Sequence, residues 1–86
     1  MKKHIYKIEE VMSQDNLVLL VRFEPGVEKL YDLKPLILEI KAFEILEGNP
    51  RLSSSVHVAS GGYGVIWNED LDLSCDELWH NGKLPA

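Results

Sequence analysis

The sequence predicts an α+β fold, a mainly antiparallel sheet made of an N-terminal three-stranded meander and a C-terminal hairpin, with short helices of which one is C-terminal. Short β-forming runs separated by turn residues predict the strands. Proline, glycine and capping residues place the helices between and after those strands. At 86 residues, 45% of them apolar and 27% charged, the chain has the composition of one folded domain over residues 1–86.

The first predicted strand covers residues 5–12. One side of this extended segment carries Tyr6, Ile8 and Met12. Helical spacing also fits Ile5, Ile8 and Met12. Residues 13–16 have turn chemistry and lead into another β-forming run. A strand is therefore favoured over a helix here.

The second predicted strand, residues 17–23, is apolar on both faces over most of its length, which favours a central place in the sheet. Residues 24–27 then combine Pro25, whose ring fixes φ, with Gly26, which tolerates the positive φ of a type II turn. Residues 27–32 should return antiparallel as the third strand. The first half of the chain is thus predicted to be a meander.

Helical segments follow the meander. Pro35 favours a helix start, because proline is tolerated in the first helical turn. Apolar residues between 36 and 46 would surround a single helix on nearly all sides, as only a fully buried helix does. Two short helices, residues 35–39 and 41–47, are predicted instead. Residues 51–55 are either a polar link or one helical turn.

A second hairpin is predicted near the C-terminus. Residues 56–59 alternate between apolar and polar and pair with residues 64–67 across a turn in which the glycines at 61, 62 and 64 allow positive φ. His57 is expected on the open face of this hairpin. Trp67 is expected in the core.

A capped helix closes the chain. In a capping box, Ser74 accepts from the amide of Glu77, and the Glu77 carboxylate reaches back to the amide of Ser74. Glycine favours the helix end. The helix therefore begins at Ser74 or Cys75 and stops at Gly82.

The same region carries a family resemblance. Its C-terminal signature consists of Trp67, Asp70, Leu71, Asp76, Leu78, Trp79 and Gly82. Further agreement over essentially the whole chain lies at Phe23, Gly26, Tyr31, Asp32, Leu33 and Pro35. In these residues the chain resembles the small bacterial domain of unknown function family 2442. The resemblance implies a compact antiparallel sheet with short helices, found alone or fused to a helix-turn-helix domain and suspected in some cases of pairing with a small basic partner as an antitoxin. It implies no settled biochemical activity.

Charge and composition exclude several function classes. A net charge of −5 opposes direct nucleic-acid binding and suits a basic partner protein. The single Cys75 excludes an internal disulfide. No apolar run approaches the roughly 20 residues that span a bilayer, and the charged N-terminus does not resemble a signal peptide. A cytoplasmic protein is expected, without a membrane partner.

No catalytic, cofactor or metal site is predicted. Carboxylates and a hydroxyl alternate, as in a calcium loop, at Asp70, Asp72, Ser74 and Asp76. Such a loop needs glycine where Cys75 stands and glutamate where Asn81 stands. Cys75 and His80 would lie on different helix faces, which disfavours zinc or a Cys-His nucleophile. The glycine-rich turn lacks the lysine and hydroxyl of a phosphate-binding loop.

The candidate partner-binding residues are Glu69, Asp70, Asp72, Asp76, Glu77 and Trp79. Their carboxylates repel one another, and a basic surface would relieve that repulsion, with Trp79 as a buried contact. A solvated acidic edge is the alternative. The leading hypothesis is a non-enzymatic protein-interaction domain, in its most specific form the antitoxin-like partner of a small basic protein. The alternatives are a sensor or dimerisation domain of a transcription regulator, which allows a homo-oligomer, and a small-molecule binder or enzyme.

Overall fold

Two three-stranded antiparallel sheets make up the computed structural model, which describes residues 7–24 and 26–85. The first sheet has the order β1-β2-β3, formed by Ile8–Gln14, Val18–Phe23 and Val27–Asp32. The second has the order β4-β5-β6, formed by His57–Val58, Gly64–Asn68 and Leu71–Ser74. The α-helices are α1 at Lys34–Glu39, α2 at Pro50–Ser54 and α3 at Cys75–Asn81. The predicted α+β class, with a meander, a hairpin and a C-terminal helix, is confirmed.

The first strand contains an irregularity that the sequence pattern does not reveal. β1 pairs with β2 along its length, but the register shifts between Ile8 and Glu10, as at a β-bulge. A one-residue shift moves the following side chains to the opposite face. Ile8 is therefore buried while Met12 is 46% exposed, so the expectation that both share one face is wrong. Residues 5 and 6 lie outside the described residues.

The turn after β1 starts later than predicted. β1 continues to Gln14, because backbone pairing with β2 does not require apolar side chains. Asn16 and Leu17 then adopt positive φ values of 64° and 58°. The carbonyl of Leu17 accepts from the amide of Leu33 at 2.8 Å, and Lys34 Nζ donates to the carbonyl of Asn16 at 2.6 Å. The turn thus fixes the start of α1.

β2 occupies the centre of the first sheet, as predicted. Leu19, Val21 and Phe23 are completely buried and form its inner face. The turn to β3 contains Gly26 at φ 115°, the positive value expected there, while Pro25 lies outside the described residues. β3 leads into α1, and its outer edge meets the C-terminal segment: Leu30 and Lys83 exchange two backbone hydrogen bonds of 2.7 and 2.8 Å.

Two short helical pieces replace one longer helix, as predicted. α1 is followed by a 3₁₀ helix at Lys41–Leu46, and Ile40 between them has an extended backbone with φ −121°. The buried side chains of this region are Leu36, Ile37, Phe43 and Leu46. Residues 50–54 form α2, so the helical alternative for the segment after Pro50 is the correct one.

The second sheet has one strand more than predicted. β4 and β5 form the expected hairpin, with His57 exposed on it, although β4 is only two residues long. β6 pairs antiparallel with β5 and was not predicted. Its apolar residues Leu71 and Leu73 are buried while Asp72 is exposed. This alternation is typical of a strand, although the carboxylates on either side of the leucines also have the spacing of a calcium loop.

Two of the three glycines of the hairpin turn have the predicted conformation. Gly61 and Gly62 have φ values of 84° and 80°. Gly64 lies in β5 instead, and a Cβ built on it would be only 2.5 Å from the carbonyl oxygen of Leu73. Glycine is required there for the close approach of β6, not for positive φ, which corrects the prediction.

One hydrophobic core joins both sheets and α3. Trp67 is 4% exposed, which confirms its predicted burial, and its ring meets that of Phe43 edge-on with centroids 5.9 Å apart. The Ser74 half of the predicted capping box is confirmed: Ser74 Oγ accepts from the amide of Glu77 at 3.1 Å, and the helix ends before Gly82. The Glu77 carboxylate accepts from Tyr31 and Asn81 through Oε2 instead, which corrects the reciprocal half. Cys75, its first residue, is buried in the same core.

Candidate interaction surface

Four predicted partner-binding residues project into solvent along β6 and in the segments directly before and after it. Glu69 and Asp70 occupy the turn between β5 and β6, Asp72 lies on the exposed face of β6, and Asp76 lies in the first turn of α3. Asn68 Oδ1 shapes the turn by accepting from the amide of Asp70 at 2.8 Å. We call Glu69, Asp70, Asp72 and Asp76 the acidic edge.

The acidic edge lacks internal charge compensation in the described part of the chain. The ion pairs there join Arg22 to Glu9 and Glu10, and Lys34 to Asp32. None of them involves a carboxylate of the acidic edge. Four negative charges therefore face solvent on a chain whose net charge is −5.

Glu77 is separate from the acidic edge and belongs to a contact between α3 and β3. Its Oε2 accepts from the hydroxyl of Tyr31 at 2.7 Å and from Nδ2 of Asn81 at 3.0 Å. Burial raises the pKa of Tyr31, and the hydrogen bond and negative charge of Glu77, with the charge of Glu39, raise it further. The structure therefore places Glu77 in a tertiary contact as well as at the helix start.

Trp79 is half-buried and packs within the fold. Its ring contacts Phe23 edge-on with centroids 5.0 Å apart. Lys29 Nζ lies 4.0 Å from the centroid of the same ring and donates to the carbonyl of Trp79 at 2.5 Å. These contacts join α3 to the first sheet, so only the remaining exposed part of the ring can meet a partner.

Sequence reasoning missed an exposed apolar segment in the helical region. Leu38 is 88% exposed, Ile45 is 52% exposed and Ile40 is 44% exposed. We call these three residues the aliphatic segment. The signal in the sequence is the distribution of apolar residues on all sides of residues 36–46, which exceeds what two short helices can bury. Because the helices are not fully buried, the surplus apolar side chains face solvent.

The remaining candidates do not assemble into a site. His57 is exposed, with Nδ1 3.0 Å from the carbonyl oxygen of Ser55, and Cys75 is buried. Across residues 7–24 and 26–85, no three His, Cys, Asp or Glu side chains are grouped so that they could hold a metal ion. No helix in those ranges has the length and apolar content needed to span a bilayer.

Comparison with known proteins gives one match. No curated protein and no solved structure shows significant similarity to the chain. The family model described as "Protein of unknown function (DUF2442)" matches residues 8–83. The matched range extends from the first residue of β1 to Lys83, the residue that bonds to the edge of β3. Because the match covers nearly the whole chain, the protein belongs to the DUF2442 family.

Proposed function

We propose that the chain is a non-enzymatic protein-interaction domain that binds a basic partner protein through the acidic edge. The observation that carries this proposal is the exposure of four carboxylates that have no ion-pair partner among the described residues. Like charges at this density repel one another, and a basic surface would relieve the repulsion and accelerate association. In its most specific form, the domain is the antitoxin-like partner of a small basic protein in the cytoplasm.

The test is co-expression with the product of the neighbouring gene, followed by affinity capture at low and high salt. Retention at low salt and release at high salt are expected, because exposed charges are screened as ionic strength rises. Failure to retain a neighbour-encoded protein at low salt would contradict the proposal.

Binding kinetics test the acidic edge directly. The double variant Asp70→Asn/Asp72→Asn should slow association several-fold and leave dissociation nearly unchanged. The matched control is Glu44→Gln/Glu47→Gln, which removes two exposed carboxylates from the helical region. Equal association rates for both double variants would show that the association rate depends on the net charge of the domain and not on the position of the carboxylates. Trp79→Phe, which keeps an aromatic ring against Phe23, should raise the dissociation rate if the exposed part of Trp79 is in the interface.

The aliphatic segment supports a second candidate, a dimerisation or sensor domain of a transcription regulator. Leu38, Ile40 and Ile45 expose aliphatic surface that self-association would bury. Sedimentation equilibrium decides between the candidates. A dimer that Leu38→Glu converts to a monomer would favour this second function, whereas a wild-type monomer at high concentration would exclude the dimerisation role.

A further inference from the structure

A groove on the first sheet differs in composition from the acidic edge. It runs between α1, β3, α3 and the C-terminal segment and has a volume of about 660 Å³, within the rough range of 300–1,000 Å³ for ligand pockets. Apolar side chains lining it include Leu30, Leu36 and Leu84, the last of which is 69% exposed. Glu39 and Glu77 also line it.

The groove has an excess of negative charge, because its lining holds three carboxylates, including Glu39 and Glu77, and a single lysine, Lys83. Asp32 also lines the groove and forms an ion pair with Lys34 at 3.0 Å. The pKa of Asp32 is lowered mainly by the hydrogen bond from the backbone amide of Lys34, and further by the charges of Lys34 and Lys83. Glu39 and Glu77 take part in none of the ion pairs found in the described ranges. Glu77 is held by two neutral donors, so its charge is not offset.

Tyr31 lines the groove together with both glutamates. The hydroxyl of Tyr31 donates to Glu77, and the negative charges of both Glu77 and Glu39 raise the pKa of Tyr31. Glu39 on α1 and Glu77 on α3 thus line the same groove from two different helices. Apolar walls beside paired carboxylates complement a side chain with an aliphatic stem and a cationic head.

We infer that the groove binds an arginine side chain of the basic partner, with its methylene groups against Leu30 and Leu36 and its guanidinium group on Glu39 and Glu77. This inference rests on the proposed function and adds a specific site to it. Arginine fits better than lysine, because a planar group with five donors can reach two carboxylates at once and is more weakly hydrated than an ammonium group. The acidic edge would attract the partner, and the groove would hold it.

Nuclear magnetic resonance with a short peptide tests the groove without the partner. The probe is the capped tripeptide Ac-Val-Arg-Val-NH₂, and its control carries citrulline, a neutral analogue, in place of arginine. Titration into the ¹⁵N-labelled protein should produce saturable amide shifts at Tyr31, Glu39, Glu77 and Asn81. The citrulline peptide should produce much smaller shifts at these positions.

Glutamine variants then test whether the carboxylates of Glu39 and Glu77 bind the arginine peptide. Glu39→Gln/Glu77→Gln should weaken binding of the arginine peptide about tenfold or more, while Asp70→Asn/Asp72→Asn on the acidic edge should change it less than about twofold. Glutamine at position 77 can still accept from Tyr31, which preserves the fold, and Glu39→Gln alone changes only an exposed residue. That single variant should weaken binding about threefold.

Several results would overturn the inference. These are equal shifts with both peptides, shifts confined to the acidic edge, no shifts at millimolar peptide, or unchanged affinity in the double glutamine variant. If such a result accompanies salt-sensitive capture of the neighbouring gene product, the groove assignment fails and the proposed function stands. If the peptide binds in the groove but no partner is captured, the proposed function fails instead.

Discussion

Replacement of Trp67 by alanine should bring this domain close to unfolding. The indole is only 4% exposed and packs against the ring of Phe43. Truncation of a buried tryptophan to alanine costs roughly 3–5 kcal/mol. A domain of 86 residues has a total free energy of unfolding of about 4–13 kcal/mol. The variant should therefore lose a large part of its stability.

Phenylalanine at the same position should be tolerated much better. Trp67 Nε1 is buried and has no hydrogen-bond acceptor within residues 7–24 and 26–85. A buried donor without a partner costs about 1–3 kcal/mol. Trp67→Phe removes this donor and keeps a ring against Phe43, so the net loss should be only about 1–2 kcal/mol.

Urea denaturation followed by far-ultraviolet circular dichroism measures all three proteins on one scale. Leu38→Ala is the matched control, because Leu38 is 88% exposed and its truncation should change the free energy of unfolding by no more than about 0.5 kcal/mol. A Trp67→Ala midpoint equal to wild type would refute the placement of Trp67 in the core. A phenylalanine variant as unstable as the alanine variant would contradict the gain expected from removal of the buried indole donor.

Three further predictions concern α3, β5 and β3. Ser74→Ala should cost about 1 kcal/mol through loss of the helix cap, and a melting curve identical to wild type would contradict it. Gly64→Ala should cost about 1–3 kcal/mol, because its Cβ would lie 2.5 Å from the carbonyl oxygen of Leu73; unchanged amide shifts in β6 would argue against that contact. Tyr31→Phe should cost about 1–2 kcal/mol at neutral pH through the lost bond to Glu77. Folding raises the pKa of Tyr31, so its contribution is complete below its usual value of 10.0 and declines as the pH rises above that value. The difference in free energy of unfolding between wild type and Tyr31→Phe, measured by urea denaturation, should therefore be smaller at pH 11 than at pH 8. An equal difference at both pH values would refute this.

The local features of the fold were predictable from the chain, whereas the relations between distant segments were not. The central position of β2 and the cap at Ser74 follow from residues a few positions apart. The register shift after Ile8 depends on pairing with β2, which the pattern within β1 does not contain. β6 was missed because its alternation at Leu71 and Leu73 covers only four residues.

In the candidate site, too, only the features that depend on neighbouring residues were predictable from the sequence. Exposure of the acidic edge follows from the polarity of its residues and the absence of nearby cations in the sequence. The contact of Glu77 with Tyr31 joins residues 46 positions apart, and the contact of Trp79 with Phe23 joins two elements from opposite ends of the chain. The groove exists only because such contacts bring α1, β3 and α3 together. No local sequence pattern therefore predicts it.

The bridge between Leu30 and Lys83 has a consequence for solubility. An outer strand with unpaired amide and carbonyl groups is a template on which another chain can add, and proteins avoid aggregation by covering such strands. Here a single residue of the C-terminal segment takes both hydrogen bonds that Leu30 offers, and its side chain adds a lysine charge that discourages an incoming strand. The pairing with Lys83 therefore makes the outer edge of β3 unavailable to an incoming strand at Leu30.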